Sequence, residues 1–218
     1  MNQSEATRGE LAGSAVSIYD RFTGLYDLMF RFNGYGRSVE RYLREKLPPL
    51  AAGARILDAG CGTGLLTLAL VRVLERPAHI TAVDLSRQSL LTARRAVGKV
   101  NFGPRHQLTF AQSNVLALPF ADNSFEFVMT SGVLEYVPLG EGMSEMARVL
   151  VPGGYFFHLP VRPTPASTLL ELMFRFKTHS PAQVAANTTR HFRVIEQHSF
   201  APLEPIGWTK SAVMARKR

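Results

Sequence analysis

Residues 56–64 read ILDAGCGTG, an apolar run that leads directly into Gly60, Gly62 and Gly64. The apolar run predicts a buried strand, and the residues after the glycines predict a helix. Glycines let the backbone turn sharply and let a ligand approach more closely than any side chain would permit. The stretch therefore predicts a nucleotide-like ligand at the carboxyl end of a first strand. A plain strand-to-helix turn is the alternative, and three spaced glycines argue against it.

A second signal is the stretch ITAVDLS, in which Asp84 ends the next predicted strand 20 positions after Gly64. An acid at this place accepts hydrogen bonds from the hydroxyls of a ribose. Nicotinamide dehydrogenases use the same device, but their fingerprint is G-x-G-x-x-G, and here the third glycine comes one residue early. The spacing favours a nucleoside ligand that has no pyrophosphate.

Strand-like and helix-like apolar periods alternate along the chain, which predicts a parallel sheet covered by helices. The predicted strands are 55–59, 80–84, 107–112, 125–130, 155–159, 192–197 and 211–215. The predicted helices are 15–46, broken near Gly34, then 63–75, 86–97 and 142–150, with a further start at Ser180-Pro181. Near-helical apolar spacing also runs through 163–179.

We expect a single domain over residues 1–218, because the chain is too short for two ordinary catalytic domains. Its predicted parts are an N-terminal helical lid (1–47), a cofactor-binding core (48–160), a substrate-lid insertion with a helix (161–190) and the last two strands (191–218).

The amino-acid composition indicates the class of protein and its cellular compartment. Hydrophobic residues make up 46% and charged residues 19%, as in ordinary globular chains. A single cysteine, Cys61, excludes an intramolecular disulfide and a thiolate metal cluster, so we expect no metal and a reducing, cytoplasmic compartment. We find no signal-peptide core and no apolar run long enough to cross a bilayer.

The net charge of +8 is concentrated near the C-terminus, where residues 161–218 hold nine basic and three acidic side chains. Such a segment suits an anionic membrane surface, nucleic acid or an acidic substrate, and it equally suits a solvated face. The sequence leaves these alternatives and the oligomeric state open.

Four stretches in order resemble the class I S-adenosylmethionine-dependent methyltransferases: DAGCGTG (58–64), AVDLS (82–86), LPFADNSFEFVMT (118–130) and EMARVLVPGGYFF (145–157). In its overall sequence pattern the chain most resembles the ubiquinone/menaquinone C-methyltransferases, and it also resembles the bacterial phosphatidylethanolamine N-methyltransferases. The resemblance implies a doubly wound, Rossmann-like, seven-stranded α/β fold. Its sheet is mostly parallel with helices on both faces and an antiparallel last strand.

The same resemblance implies S-adenosyl-L-methionine as cofactor, S-adenosylhomocysteine as product, and a set of cofactor-binding positions. Asp58 and the turn from Gly60 through Cys61 and Gly62 to Gly64 would lie along the methionine part. Asp84 would bind the ribose, Leu85 would pack on the adenine, and Asn114 stands where the family usually has an aspartate for the adenine amino group. The remaining cofactor-binding positions that we predict are Val115, Ser131 and Tyr26.

The segment IYDRFTGLYDLMF (18–30) resembles the paired Tyr-Asp opening of both subgroups. In such relatives this helix covers the cofactor. Tyr19 or Tyr26 would then contact its carboxylate or methyl side, and packing within an amphipathic helix is an equal alternative.

Candidate catalytic residues are His158, Glu135 and Tyr19. The sulfonium methyl is already activated, so the protein mainly holds a nucleophile in line and excludes water. A base would help a ring carbon or an amine, and His158 falls near the end of the fifth predicted strand. The competing interpretation of His158 is a packing residue between Phe157 and Leu159. We reject Cys61 as a nucleophile, because its position in the family is a backbone turn.

The expected acceptor is small and hydrophobic, either a quinone-like ring carbon or a phospholipid amine. Residues 163–179 would form a lid for it, rest peripherally on the anionic inner membrane surface, or pack as a buried helix. A non-catalytic cofactor- or partner-binding domain is the second hypothesis. RNA methylation is the third hypothesis. It ranks last because Ser131-Gly132-Val133-Leu134 stands where nucleic-acid methyltransferases carry an N/D-P-P-Y/F/W tetrapeptide, so we expect no nucleic-acid partner.

Overall fold

The computed structural model describes residues 34–100, 106–201 and 203–218, so the predictions for Tyr19 and Tyr26 lie outside the described residues. Within these ranges the strands are β1 (Ala54–Ala59), β2 (Ala78–Asp84), β3 (His106–Gln112), β4 (Phe125–Ser131), β5 (Leu150–Leu159), β6 (Phe192–Ser199) and β7 (Ser211–Lys217). The α-helices are α1 (Tyr35–Lys46), α2 (Leu65–Val73), α3 (Arg87–Gly98), α4 (Leu139–Val149), α5 (Pro165–Phe174) and α6 (Pro181–His191). A short 3₁₀ helix spans Pro205–Trp208.

These strands form one sheet in the order β3-β2-β1-β4-β5-β7-β6. Strand β7 runs antiparallel to both of its neighbours, β5 and β6, and the pairs among β1 to β5 are parallel. The predicted fold class is therefore confirmed. The chain order reverses between β1 and β4, and ligands of doubly wound sheets bind in the crevice outside the carboxyl ends of the strands at this point.

Alternate residues of each strand point to opposite faces of the sheet, and both faces are buried. Ile56, Phe127 and Phe157 pack on one face with side chains of α1 and α2. Leu57 and Phe156 pack on the other face with side chains of α4 and α6. The helices on both sides leave only the ends of the parallel strands accessible for a ligand.

Helices α3 and α6 begin after Ser86 and Ser180, where the sequence predicted a helix over 86–97 and a further start at Ser180-Pro181. Ser86 accepts a hydrogen bond from the Ser89 N–H (3.0 Å), and Ser180 accepts one from the Gln183 N–H (3.2 Å). Such caps satisfy amide groups that the first turn of a helix leaves without partners. Helix α5 ends at Phe174, earlier than the apolar spacing suggested, because Arg175 takes a left-handed conformation with φ 53°. None of the helices in the described ranges is long and apolar enough to cross a bilayer.

The connection between β3 and β4 is held against α4 by Arg148. Its guanidinium donates to the carbonyl oxygens of Leu118 (3.1 Å) and Phe120 (2.8 Å) and to the carboxylates of Asp122 and Glu145. Five N–H donors in a rigid fork suit such a multiple contact. The clamp fixes the course of the loop that follows Asn114 at the ligand-binding edge of the sheet.

Candidate active site

The glycine turn after β1 adopts a backbone that few other residues tolerate. Gly60, Gly62 and Gly64 have φ values of 75°, 53° and 86°. The N–H groups of Gly60 and Cys61 both donate to the Val83 carbonyl (2.8 and 2.9 Å), which holds the turn against the end of β2. A Cβ atom on Gly60 would lie 2.6 Å from the side chain of Val133. The turn thus needs glycine both for its conformation and for its close approach to the segment after β4.

Asp84 connects this turn to the end of β2. Its carboxylate accepts the Gly62 N–H (2.8 Å) and the Ser86 N–H (2.9 Å). Each carboxylate oxygen has two lone pairs, so the oxygens can accept further hydrogen bonds from ribose hydroxyls. The geometry fits the predicted ribose contact.

Asp58 lies below the turn and is fully buried. Its Oδ2 accepts a hydrogen bond from the Thr67 hydroxyl (2.5 Å), while Oδ1 has no partner among the residues that the structure describes. Burial raises the pKa of Asp58 to about 7; the nearby charge of Asp84 adds to this effect, and the Thr67 hydrogen bond opposes it. A buried carboxylate oxygen without a partner is costly. A cationic ligand such as a methionine ammonium would satisfy it, so these residues fit the implied cofactor.

Cys61 is buried within the same turn, and its sulfur lies 3.7 Å from the Gly62 carbonyl oxygen. Burial raises the pKa of the thiol well above its usual range, with Asp58 and Asp84 adding to the effect. The thiolate, which is the nucleophilic form, is therefore disfavoured.

The predicted adenine-binding residues come together at the ends of β2 and β3. The Ser113 N–H donates to the Asp84 carbonyl (3.0 Å), which places Asn114 beside the end of β2. Leu85 is half-buried, Val115 is buried and Asn114 is exposed. The Asn114 Oδ1 accepts the Leu116 N–H (2.9 Å), so one lone pair of this oxygen is already used. The adenine contact of Asn114 stays a prediction.

Ser131 ends β4, and its hydroxyl oxygen lies 2.6 Å from the hydroxyl oxygen of Tyr35. Tyr35 opens α1 and is buried, and burial raises the pKa of its phenol. Tyr35 is not among the site residues predicted from the sequence, in which residues 33–36 indicated only a helix break. The tyrosine between two glycines was the one available signal.

A small closed cavity lies beside the ends of β4 and β5. It is lined by Gly132, Tyr136, Val161, Leu170, Phe176, Thr209 and Lys210. Its volume of about 10 Å³ is comparable to that of one water-sized sphere. The rings of Tyr136 and Phe176 are 5.7 Å apart and form one wall.

Two buried ionisable side chains lie at or near this cavity: Lys210 lines it, and Glu135 is bonded to the backbone of the lining residue Val161. Glu135 Oε1 accepts the Val161 N–H (2.6 Å), and its Oε2 has no partner within the described ranges. Lys210 Nζ donates to the Leu159 carbonyl at 3.3 Å. Burial lowers the pKa of Lys210, and the Glu135 carboxylate opposes that shift. Lys210 is not among the site residues predicted from the sequence. A lone lysine directly before an apolar strand was the signal that could have indicated it.

His158 pairs with Thr130 in the β4–β5 register, and its ring stacks on Phe156. It thus faces α4 and α6, is fully buried, and does not line the cavity. Both ring nitrogens lack a partner in the described part of the chain. Burial lowers the pKa of His158 to about 3, with Lys210 and His179 contributing, so the ring is neutral near pH 7. Its catalytic role stays a prediction.

No group of three or more His, Cys, Asp or Glu side chains that could hold a metal ion occurs among the described residues.

Comparisons with known proteins agree with this geometry. A family model described as a methyltransferase domain matches residues 57–158. The chain is 28% identical to a demethylmenaquinone methyltransferase of Lactiplantibacillus plantarum over 197 residues, which cover 83% of this chain and 81% of that one. It is 31% identical to a ubiquinone/menaquinone biosynthesis C-methyltransferase of Hahella chejuensis over 148 residues, which cover 66% of this chain and 58% of the relative.

Among solved structures, the fold is similar to a geranyl diphosphate C-methyltransferase from Streptomyces coelicolor A3(2), solved with S-adenosyl-L-homocysteine. The TM-score is 0.68 at 15% sequence identity, over 84% of this chain and 76% of that chain. At this identity the similarity shows the fold alone. The assignment of the domain depends on the matched family model, and the glycine turn and Asp84 agree with it. Residues 57–158 thus form a methyltransferase domain of the class I, S-adenosylmethionine-dependent kind.

Proposed function

We propose that the protein transfers a methyl group from S-adenosylmethionine to a ring carbon of a small, hydrophobic, quinone-like acceptor. The observation that carries this proposal is the cavity beside Ser131, whose walls are aromatic and aliphatic and whose polar end holds Lys210. Ligand pockets of this kind are mostly apolar with a few fixed polar groups. The relatives named as quinone-pathway methyltransferases support the same acceptor class.

Methyl transfer requires little acid–base or nucleophilic chemistry from the side chains. The bound cofactor supplies an electrophilic methyl group. As the acceptor carbon bonds to the methyl carbon, the carbon–sulfur bond breaks with its electron pair on sulfur, and the displaced ring proton passes to a base. The protein contributes by aligning the two centres and by excluding water. The buried, mainly apolar cavity supports both tasks.

Among the proposed catalytic residues, the geometry favours Glu135 over His158. Glu135 does not line the cavity itself, but it precedes the lining residue Tyr136 and is bonded to the N–H of the lining residue Val161, and its Oε2 lacks a partner in the described ranges. His158 lies outside the cavity lining, and a pKa near 3 makes its ring a weak base at neutral pH. Tyr19 belongs to residues 1–33 and remains a proposal from the sequence alone.

We also propose that α5 rests on an anionic membrane surface, from which a lipid-soluble acceptor would reach the cavity. Leu169 and Leu172 are 61% and 81% exposed on this helix, whereas Leu170 faces inward and lines the cavity. The cations Arg175 and Lys177 follow directly and are exposed. Apolar side chains beside cations suit the boundary between lipid headgroups and acyl chains.

Sedimentation with vesicles tests the membrane proposal. The full chain is expected to co-sediment with vesicles of phosphatidylcholine and phosphatidylglycerol and not with phosphatidylcholine alone. Leu172→Glu should reduce this binding at least fivefold. Ile195→Glu, which places the same charge on an exposed residue of β6, is the matched control and should leave it unchanged. Equal binding by the two variants, or no binding by the wild type, overturns the proposal.

A methyl-transfer assay tests the reaction itself. We would supply radiolabelled S-adenosylmethionine with a demethylated naphthoquinol that carries a short isoprenoid chain, and in separate reactions with phosphatidylethanolamine vesicles and with total RNA. Label is expected in the naphthoquinol. Label confined to the lipid amine or to RNA would overturn the ring-carbon proposal. No observation on the described residues favours the amine.

A further inference from the structure

We propose that Lys210 and Glu135 form the acceptor-recognition site, in which the Lys210 ammonium donates to a ring hydroxyl of the acceptor and Glu135 Oε2 accepts the proton of that hydroxyl. This inference rests on the proposed function, because it assigns the acceptor to the cavity beside Ser131. It also narrows the acceptor to hydroxylated aromatic rings, since a hydroxyl both accepts and donates hydrogen bonds.

The first step is the unused capacity of Lys210. An ammonium group carries three protons, and among the described residues Nζ donates only to the Leu159 carbonyl at 3.3 Å. Lys210 is 1% exposed, so bulk water does not reach it, and the cavity has room for about one water molecule. A buried cation with unused donors is costly unless something pairs with it. A ligand oxygen in the cavity would do so, because Lys210 is one of the lining residues.

The second step is the unused capacity of Glu135. Its Oε1 is engaged by the Val161 N–H, and its buried Oε2 has no partner in the described part of the chain. The carboxylate raises the pKa of Lys210 electrostatically, yet among the described residues Lys210 Nζ donates to the Leu159 carbonyl and Glu135 Oε2 has no partner, so the two side chains are not hydrogen-bonded to each other. A donor and an acceptor therefore stand near one another without meeting. A hydroxyl between them would satisfy both.

The third step is the shape of the space around this pair. Tyr136 and Phe176 form an aromatic wall, and Val161 and Leu170 form an aliphatic one. Such walls suit a flat apolar ring. A cavity of about 10 Å³ holds only about one water molecule. A ring therefore enters by displacing Tyr136 and Phe176, which belong to the loops after β4 and after α5.

A purely structural pair is the competing explanation. Glu135 and Lys210 both hold backbone groups near the end of β5, and that role alone could account for their burial. The two explanations differ in one respect. Only a recognition site would make the affinity for a hydroxylated ring depend on Lys210 while cofactor affinity stays unchanged.

Calorimetry on the full chain with bound S-adenosylhomocysteine separates them. The probes are 1-naphthol and naphthalene, which differ by one hydroxyl. The wild type should bind 1-naphthol at least tenfold more tightly than naphthalene. Lys210→Met should reduce that ratio to near one and leave the affinity for S-adenosylhomocysteine within about twofold. Lys217→Met, which removes a lysine bonded to Asn123 and Leu150, is the matched control and should keep the ratio.

Glu135→Gln provides a second variant in case Lys210→Met does not fold, because it preserves the shape and the contact with the Val161 N–H. It should lower the affinity for 1-naphthol at least threefold and leave naphthalene binding unchanged. An unchanged ratio in a folded Lys210→Met or Glu135→Gln protein overturns the inference, as does a wild type that prefers neither ring. If the ratio depends on Lys210 but no ring acceptor is methylated, the recognition site stands and the proposed reaction fails.

Discussion

The two halves of the ligand-binding edge are built in different ways. At the glycine turn, backbone amides satisfy the Asp84 carboxylate, and Asp58 Oδ1 is the exception that a cationic ligand would complete. Near the cavity, Glu135 Oε2 has no partner in the described ranges, and Lys210 Nζ donates there to the Leu159 carbonyl alone. The contrast teaches that backbone groups hold most of the first half in place, whereas the second half contains buried side chains with unused hydrogen-bonding capacity.

The largest effect should come from breaking the turn itself. Gly60→Ala places a Cβ 2.6 Å from Val133 and forces a non-glycine residue to φ 75°, so we expect a loss of about 3 kcal/mol in the free energy of unfolding. Urea denaturation measures this. Gly53→Ala is the matched control, because Gly53 has φ 77° and no atom near the added Cβ. It should cost only about 1 kcal/mol. Equal losses would show that contact with Val133 is unimportant.

Removing the carboxylate that joins the turn to β2 should have the next effect. Asp84→Ala is expected to weaken binding of S-adenosylhomocysteine at least tenfold, about 1.4 kcal/mol, because it removes the predicted ribose contact and the partner of the Gly62 N–H. Isothermal titration calorimetry gives the affinity. Asp122→Ala, which removes an exposed acid from the Arg148 clamp, should leave it unchanged. Undiminished binding by Asp84→Ala would contradict the ribose assignment.

A pH series tests the role of Asp58. With its pKa raised to about 7, the carboxyl is mostly protonated at pH 6 and mostly ionised at pH 8. A ligand ammonium favours the ionised form, so binding should release a proton and the affinity for S-adenosylhomocysteine should rise up to about tenfold over this range. Calorimetry in buffers of different ionisation enthalpy detects the proton. Asp58→Asn should remove the pH dependence, and its persistence in that variant would assign the effect to another group.

The smallest effect is expected at His158, which lies outside both the glycine turn and the cavity. His158→Phe removes two buried nitrogens without partners in the described ranges and keeps a ring stacked on Phe156, so the free energy of unfolding should change by less than about 1 kcal/mol. The methyl-transfer rate should stay within about threefold. A much larger loss of rate in a folded variant would restore His158 as the catalytic base.

The two halves of the site also differ in how well the sequence predicted them. The glycine turn and Asp84 could be predicted because glycines at alternate positions and an acid at a strand end are patterns that lie within a few residues of each other. The parallel sheet follows from the apolar periods, and its strands were predicted within about two residues of their observed bounds, except that β5 begins at Leu150, five residues before its predicted start. The helix starts at Ser86 and Ser180 were also predicted.

The cavity could not be predicted in this way. Tyr35, Glu135 and Lys210 lie far apart in the chain, and only the sheet order brings the ends of their elements together. The side of β5 that His158 faces also depends on the register with β4, which a single sequence does not reveal. Burial then determines the protonation of His158, Lys210 and Asp58, and burial is a property of the assembled fold.

The position of β7 has a consequence for how the molecule is assembled. Strand β6 pairs only with β7, although it precedes β7 in the chain, and β7 pairs with β5 on its other side. During folding, β6 therefore has no place in the sheet until residues 211–217 have docked on β5. In the interval β5 presents an open edge, to which the β7 of a second molecule can add by domain swapping.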